Sequence, residues 1–143
     1  MTKAELFSEY ASYHADSRNR ICHAFGIPLI VLGMFGLLSL VAIGPVNLAV
    51  LTAIAILIYY AVLDLRGALL SLIIFAVLYF IAVHLNWQEN VAALILGWGF
   101  QLVGHRIEGT KPKFLENLIY LAIGPLYVFE EVFGSVFRSG HVA

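Results

Sequence analysis

Charge is scarce in this chain. Lys and Arg number eight and Asp and Glu nine in 143 residues, so 12 % of positions are charged. A soluble domain carries about a quarter. The formal net charge of −1 leaves no basic footprint for nucleic acid. A single cysteine, Cys22, excludes an intramolecular disulfide. There is no HExxH, no GxSxG and no glycine-rich phosphate loop, which removes zincin, serine-hydrolase and P-loop chemistry. Internal repeats and low-complexity tracts are also missing. The first 25 residues are polar and the apolar run after them is long, which is not the pattern of a cleavable signal peptide.

What remains is apolar. Hydrophobic residues make up 62 % of the chain, and the mean hydropathy is +0.92. They fall in long runs: Gly26 to Ile43, Val46 to Leu63, Gly67 to Val83, Val91 to Val103, and Leu118 to Phe129 with Pro125 inside it. Crossing the hydrocarbon core takes about 20 residues and at least roughly 17. The first three runs meet that length, and the last two are marginal. The expected fold is all-α: a polytopic membrane bundle of four to five segments preceded by an amphipathic helix. The chain reads as one integral-membrane domain, 1–143, with an interfacial helical segment at 1–25 and membrane segments within 26–135. If all five runs span, Lys3, Arg18, Arg20, Arg66, Arg106, Lys111 and Lys113 share one side and Arg138 stands alone on the other. The positive-inside rule then makes the N-terminus cytoplasmic, in a bacterial inner membrane or a eukaryotic endoplasmic reticulum.

The polar N-terminus opens on Thr2-Lys3-Ala4-Glu5, a capping box, and Leu6, Tyr10 and Tyr13 continue it at helical spacing to about His14. His14 and His23 are nine residues apart, so one straight helix would turn them to opposite faces. Asp16 and Ser17 are good N-cap residues and offer a break between them. A second helix then carries Asn19 and His23 on one face, and Gly26-Ile27-Pro28 is expected to bend the chain as it enters the first run.

A second polar group ends the fourth run. Gln101, His105 and Glu108 lie three or four residues apart and share a helical face. Ionisable groups at membrane depth are costly and tend to be functional. His14, His23 and His105 fall at the cytoplasmic edge, and imidazole is a common ligand of iron, zinc and copper. Gln101 or Glu108 would support such ligands by hydrogen bonding. His84 closes the third run about 25 Å from Arg66 at 1.5 Å per residue. It reaches the other histidines only if helices tilt or the fourth segment stops short. His141 lies in the polar tail and is expected to play no part. Five histidines are too few for the di-iron membrane hydroxylases, so a mononuclear centre is expected.

The stretches YASYHADSRNRICHAFGIPL and LGWGFQLVGHRIEGTKPKFLENLIYLAIGPLYVFEEV resemble the two signature regions of the 2-hydroxy fatty acid dioxygenase family, over about residues 6 to 135. The matching positions are Tyr13, His14, Asn19 and His23, then His84, then Trp98, Gln101, Gly104 and His105, followed by Pro112, Asn117, Pro125 and Glu131. The resemblance implies Fe(II) held by His14, His23, His84 and His105, with Gln101, Asn19 and Glu131 assisting catalysis. It implies a 2-hydroxy fatty acid and O2 as substrates, drawn from membrane lipid, with the fatty acid shortened by one carbon in α-oxidation. Arg18, Arg20 or Arg106 would steer the carboxylate. Two alternatives stay open: a non-enzymatic lipid-binding or assembly protein whose histidines are interfacial hydrogen-bonders, and a metal transporter. The transporter would need mid-membrane ligands that the first two runs barely offer.

Overall fold

The computed structural model describes residues 1–112, 115 and 117–138, the side chains as far as 133. His141 and Lys113 therefore lie outside the described residues. The described chain is helical throughout apart from a two-residue hairpin. Its elements are α1 (Lys3–Ser12), α2 (Ser17–Leu38), β1 (Ala42–Ile43), β2 (Val46–Asn47), α3 (Leu48–Leu63), α4 (Leu65–His84), α5 (Trp87–Glu108) and α6 (Ile119–Arg138).

The local signals act as their chemistry requires. The capping box at Thr2 and Glu5 starts α1, and the Asp16 side chain accepts from the Arg18 N–H to start α2. Asn47, Asp64 and Asn86 do the same for α3, α4 and α5. Gly44 takes φ +61° in the hairpin turn, a left-handed conformation that suits glycine. Pro28 lies inside α2 without ending it. Within the first apolar run the helix ends at Leu38, and the hairpin starts at Ala42.

Helices α2 and α5 form the tightest pair and run antiparallel. Asn19 meets Gly104 at one end, Gly26 meets Gly97 midway, and Gly36 meets Asn90 at the other. A Cβ on Gly26 would sit 2.8 Å from the Gly97 carbonyl oxygen, so the absence of side chains is what permits the approach. Helices α3 and α4 complete a four-helix arrangement, packing on α2 and on each other. The core is aromatic and aliphatic, centred on Tyr60, Phe75, Leu126 and Phe129.

The fifth expected segment behaves differently. Tyr120, at the start of α6, donates to Glu9 of α1 at 2.8 Å. Ten residues on, Glu130 accepts from Lys3 at 2.7 Å, and Lys3 also bonds Asp64 in the α3–α4 turn at 2.5 Å. Both ends of this stretch are thus tied to α1, antiparallel to it, on the side of the bundle where α2 starts and α5 ends. The apolar face of α1, Leu6 and Tyr10, is covered by Tyr120 and Ile123. Helix α1 therefore packs on protein. Among the described residues, two helices are long and apolar enough to cross a membrane, Ser17–Leu38 and Leu65–His84, rather than four or five. Helix α3 has 16 residues, and α5 is diluted by Gln88, Glu89, Asn90, Gln101 and His105.

Candidate metal centre

Three imidazoles meet where α1, α2 and α5 converge. Helix α1 stops at Tyr13, and His14 follows it with its backbone N–H bonded to Ala11 O at 3.0 Å. The break at 15–16 reverses the chain, so that His23, nearly two turns into α2, returns to His14. His105 arrives from the last turn of α5. Their ring centroids are 4.4 Å (His14–His23), 4.8 Å (His23–His105) and 5.0 Å (His14–His105) apart, steeply inclined to one another. All three are buried, and one ligand nitrogen from each lies within 4.8 Å of the others.

Hydrogen bonding fixes how two of them point. His14 Nδ1 lies 2.6 Å from Tyr10 O, and His23 Nδ1 lies 3.0 Å from Asn19 O. A carbonyl oxygen only accepts, so each Nδ1 must carry the proton. In the neutral rings both Nε2 atoms then present lone pairs, and these face each other at 3.1 Å. Two facing lone pairs repel unless a cation stands beside them. Two nitrogens each about 2.1 Å from one first-row ion, at right angles, would be about 3 Å apart. Donating the second ring N–H to a backbone carbonyl is also how metal-bound histidines are usually oriented. The residues fit a metal. Burial holds the His14 pKa below its usual value, partly offset by the Tyr10 carbonyl and by Glu108, so the ring is a neutral ligand near pH 7.

The surrounding shell is assembled from distant segments. Tyr10 stacks on His14 with centroids 4.1 Å apart. Glu108 accepts from the Asp16 N–H at 2.7 Å and from Asn19 Nδ2 at 3.4 Å, tying the end of α5 to the start of α2. Asn19 Nδ2 also donates to Tyr13 O at 3.2 Å. Gln101 is buried and its Oε1 has no protein partner. A cavity of about 350 Å³ begins at the three histidines and Gln101 and continues along α2.

Other expected site residues lie elsewhere. His84 is exposed at the C-terminal end of α4, its Nδ1 on Phe80 O at 2.7 Å. Asn90 of α5 bonds Ala82 O beside it, and the 15 residues from Asn90 to His105 put it about 22 Å from the cluster. His84 is not one of the converging imidazoles, because it ends α4 next to the start of α5 while the cluster lies at the other end of α5. Glu131 is exposed on α6 and hydrogen-bonds Tyr127, one residue removed from Tyr10. The Arg18 guanidinium is engaged by Asp16 at 2.9 Å, whereas Arg20 and Arg106 are exposed. One partner escaped the sequence reading: Thr110 Oγ1, 3.2 Å from His105 Nδ1. Its signal was Gly109, which ends α5 at φ +78° and folds the chain back.

Comparison with known proteins gives the family. The family model described as 2-hydroxy-palmitic acid dioxygenase Mpo1-like matches residues 1–136. The 2-hydroxy-palmitic acid dioxygenase MPO1 of Saccharomyces cerevisiae is 27 % identical over 129 residues, covering 85 % of this chain and 74 % of the yeast protein. No solved structure matches. The converging histidines thus sit in a chain whose whole helical extent follows one family pattern, and the protein belongs to the Mpo1-like family.

Proposed function

We propose that this protein is a membrane-embedded, Fe(II)-dependent dioxygenase that removes one carbon from 2-hydroxy fatty acids. The observation that carries the reading is the pair of unprotonated Nε2 atoms facing each other at 3.1 Å, with His105 closing the third side. The yeast relative is named for 2-hydroxy-palmitic acid, and a cavity lined largely by apolar side chains leads away from the histidines.

The chemistry balances without a further reductant. A 2-hydroxy acid and O2 give the acid one carbon shorter, carbon dioxide and water; the substrate loses four electrons and O2 takes up four. Iron(II), when bound, supplies the one-electron steps that dioxygen requires. His14, His23 and His105 would hold the iron, and the cavity beside them would take the substrate head. Gln101 Oε1 accepts a hydrogen bond from the substrate 2-hydroxyl and holds the C1–C2 bond at a fixed angle. Asn19 and Glu108 keep the two helices registered, and the buried setting excludes bulk water from the reacting carbons. Glu131 acts at most through Tyr127 and Tyr10, as a positioning residue.

Membrane insertion follows the distribution of apolar surface. Ile54, Ile58, Val62, Leu72, Ile73, Val77, Ile95 and Leu96 all point outward on α3, α4 and α5, more apolar surface than a water-soluble monomer leaves uncovered. Helices α2 and α4 are the two candidate spans, and α1 and α6 lie across their cytoplasmic end. Arg18, Arg20, Arg106 and Lys111 mark that end, so the metal site faces the cytoplasm. The test is anaerobic purification in detergent, reconstitution with Fe(II) and elemental analysis. One iron per chain, oxygen uptake, and shortened acid in equal amount with carbon dioxide are expected. Metal-free protein that still binds fatty acid would favour the lipid-binding alternative.

A further inference from the structure

The cavity has a depth as well as a mouth. From the histidines it follows Ile27, Ile30 and Val31 along α2 and reaches Phe35, Thr52, Ile56 and Phe75. Helix α2 gives the distance to this far end: twelve residues separate His23 from Phe35, about 18 Å at 1.5 Å per residue. Phe35 and Phe75 meet edge to face with centroids 5.2 Å apart, and both are buried. Phe129 at 5.7 Å and Tyr60 at 6.2 Å pack on Phe75 from the side of the α1–α6 roof, and Met34 lines the cavity beside Phe35.

We propose that Phe35, Thr52 and Phe75 form the floor of an acyl-chain cavity that measures substrate length. It accepts straight-chain 2-hydroxy acids up to about fourteen to sixteen carbons before the tail meets the floor. This rests on the cavity being the substrate site of the proposed dioxygenase. The length comes from two sources. An extended chain advances about 1.2 Å per bond, by the same zigzag geometry that gives a polypeptide about 3.5 Å per three bonds, so 18 Å holds about fifteen bonds. The cavity volume of about 350 Å³ holds roughly a dozen methylenes, taking each as similar to the roughly 30 Å³ share of a water molecule. Fifteen bonds join about sixteen carbons, and the volume with the two head carbons held at the metal gives about fourteen, so the limit lies at about fourteen to sixteen.

Trp98 lines the same cavity, one turn before Gln101, and provides a reporter that needs no turnover. In a Trp87→Phe background, Trp98 fluorescence is titrated anaerobically with saturated 2-hydroxy acids of increasing length, on Fe(II)-loaded full-length protein in detergent. Affinity referred to free aqueous acid, with the measured detergent partition of each acid removed, should rise about fourfold for each added methylene and level off or fall beyond about fourteen to sixteen carbons. Thr52→Trp adds on the order of 100 Å³ to the floor and should lower the break point by about three carbons, leaving short-chain affinity unchanged. Phe35→Ala removes a similar volume and should raise the break point by about as much. Affinity that climbs without a break past twenty carbons would overturn the ruler. So would two folded variants that weaken all lengths equally or leave the break where it was. A length break with no oxidation on admitting air would keep the ruler and reject the dioxygenase; oxidation without a break would reject the ruler alone.

Discussion

His14 and His23 do at the residue scale what neither could do alone. Each is held by a backbone carbonyl four residues earlier, and the two free nitrogens are left with no protein proton between them. His14→Ala or His23→Ala should lower iron content to near zero in elemental analysis, while His84→Ala should retain both iron and turnover. Gln101→Ala should keep its iron and lower turnover about 10–100-fold, the usual effect of losing an outer partner at a metal site. The same residues set a pH dependence in the metal-free protein. The folded His14 pKa lies below the unfolded value, so the unfolded chain takes up its proton first. Stability is therefore full above about pH 6.5 and lost as pH falls from there toward the folded pKa. Thermal melts of the apo protein between about pH 8 and pH 5 should show a falling midpoint on the acid side. Fe(II) should shift that fall to lower pH by binding only the neutral rings.

The glycine seam between α2 and α5 decides geometry at the scale of elements. A Cβ at Gly104 would lie 2.3 Å from Asn19 Oδ1 and 3.0 Å from the Cys22 Cβ, whereas one at Gly99 meets nothing within 4 Å. Gly104→Ala should therefore force the helices apart at the metal end, costing about 1–3 kcal/mol in stability and weakening iron retention. Gly99→Ala should be silent in both. Gly36→Ala, where a Cβ would fall 2.1 Å from the Asn90 side chain, should destabilise the far end and leave the iron content of the folded fraction intact. Together the three variants separate general packing damage from damage to the site. A Gly104→Ala protein that melts and loads like the parent would remove the seam from the account.

Orientation belongs to the whole molecule. In the proposed topology α4 crosses the bilayer, so Leu65 at its start and Trp87 just past its end lie on opposite sides. In a Cys22→Ala background, Leu65→Cys should react with an impermeant thiol reagent only from the cytoplasmic side, and Trp87→Cys only from the other. Labelling of both from one side would refute α4 as a span. The roof made by α1 and α6 rests on Lys3, which joins Asp64 and Glu130 through partly exposed ion pairs. Such contacts register a helix more than they stabilise it; the buried Leu6, Tyr10, Tyr120 and Ile123 supply the stabilisation.

Much of this protein is readable from its residues alone, for a physical reason. Helix caps act within three or four positions, so Thr2, Asp16 and Asn86 announce their helices locally, and the break before Ser17 that lets His14 meet His23 is visible in the same way. Apolar runs report that helices will be long and buried in something. The grouping of His14, His23 and His105 was also legible, because basic residues and span order put all three at one edge. What linear spacing cannot state is how one helix lies against another. Leu118 to Phe129 reads as a fifth span by composition, yet α1 takes its apolar face and both its ends stay on one side. His84 matches a family position, yet the length of α4 carries it to the opposite end of the bundle. In each case packing between segments distant in the chain, through the glycine seam and the aromatic core, decided what local chemistry left open.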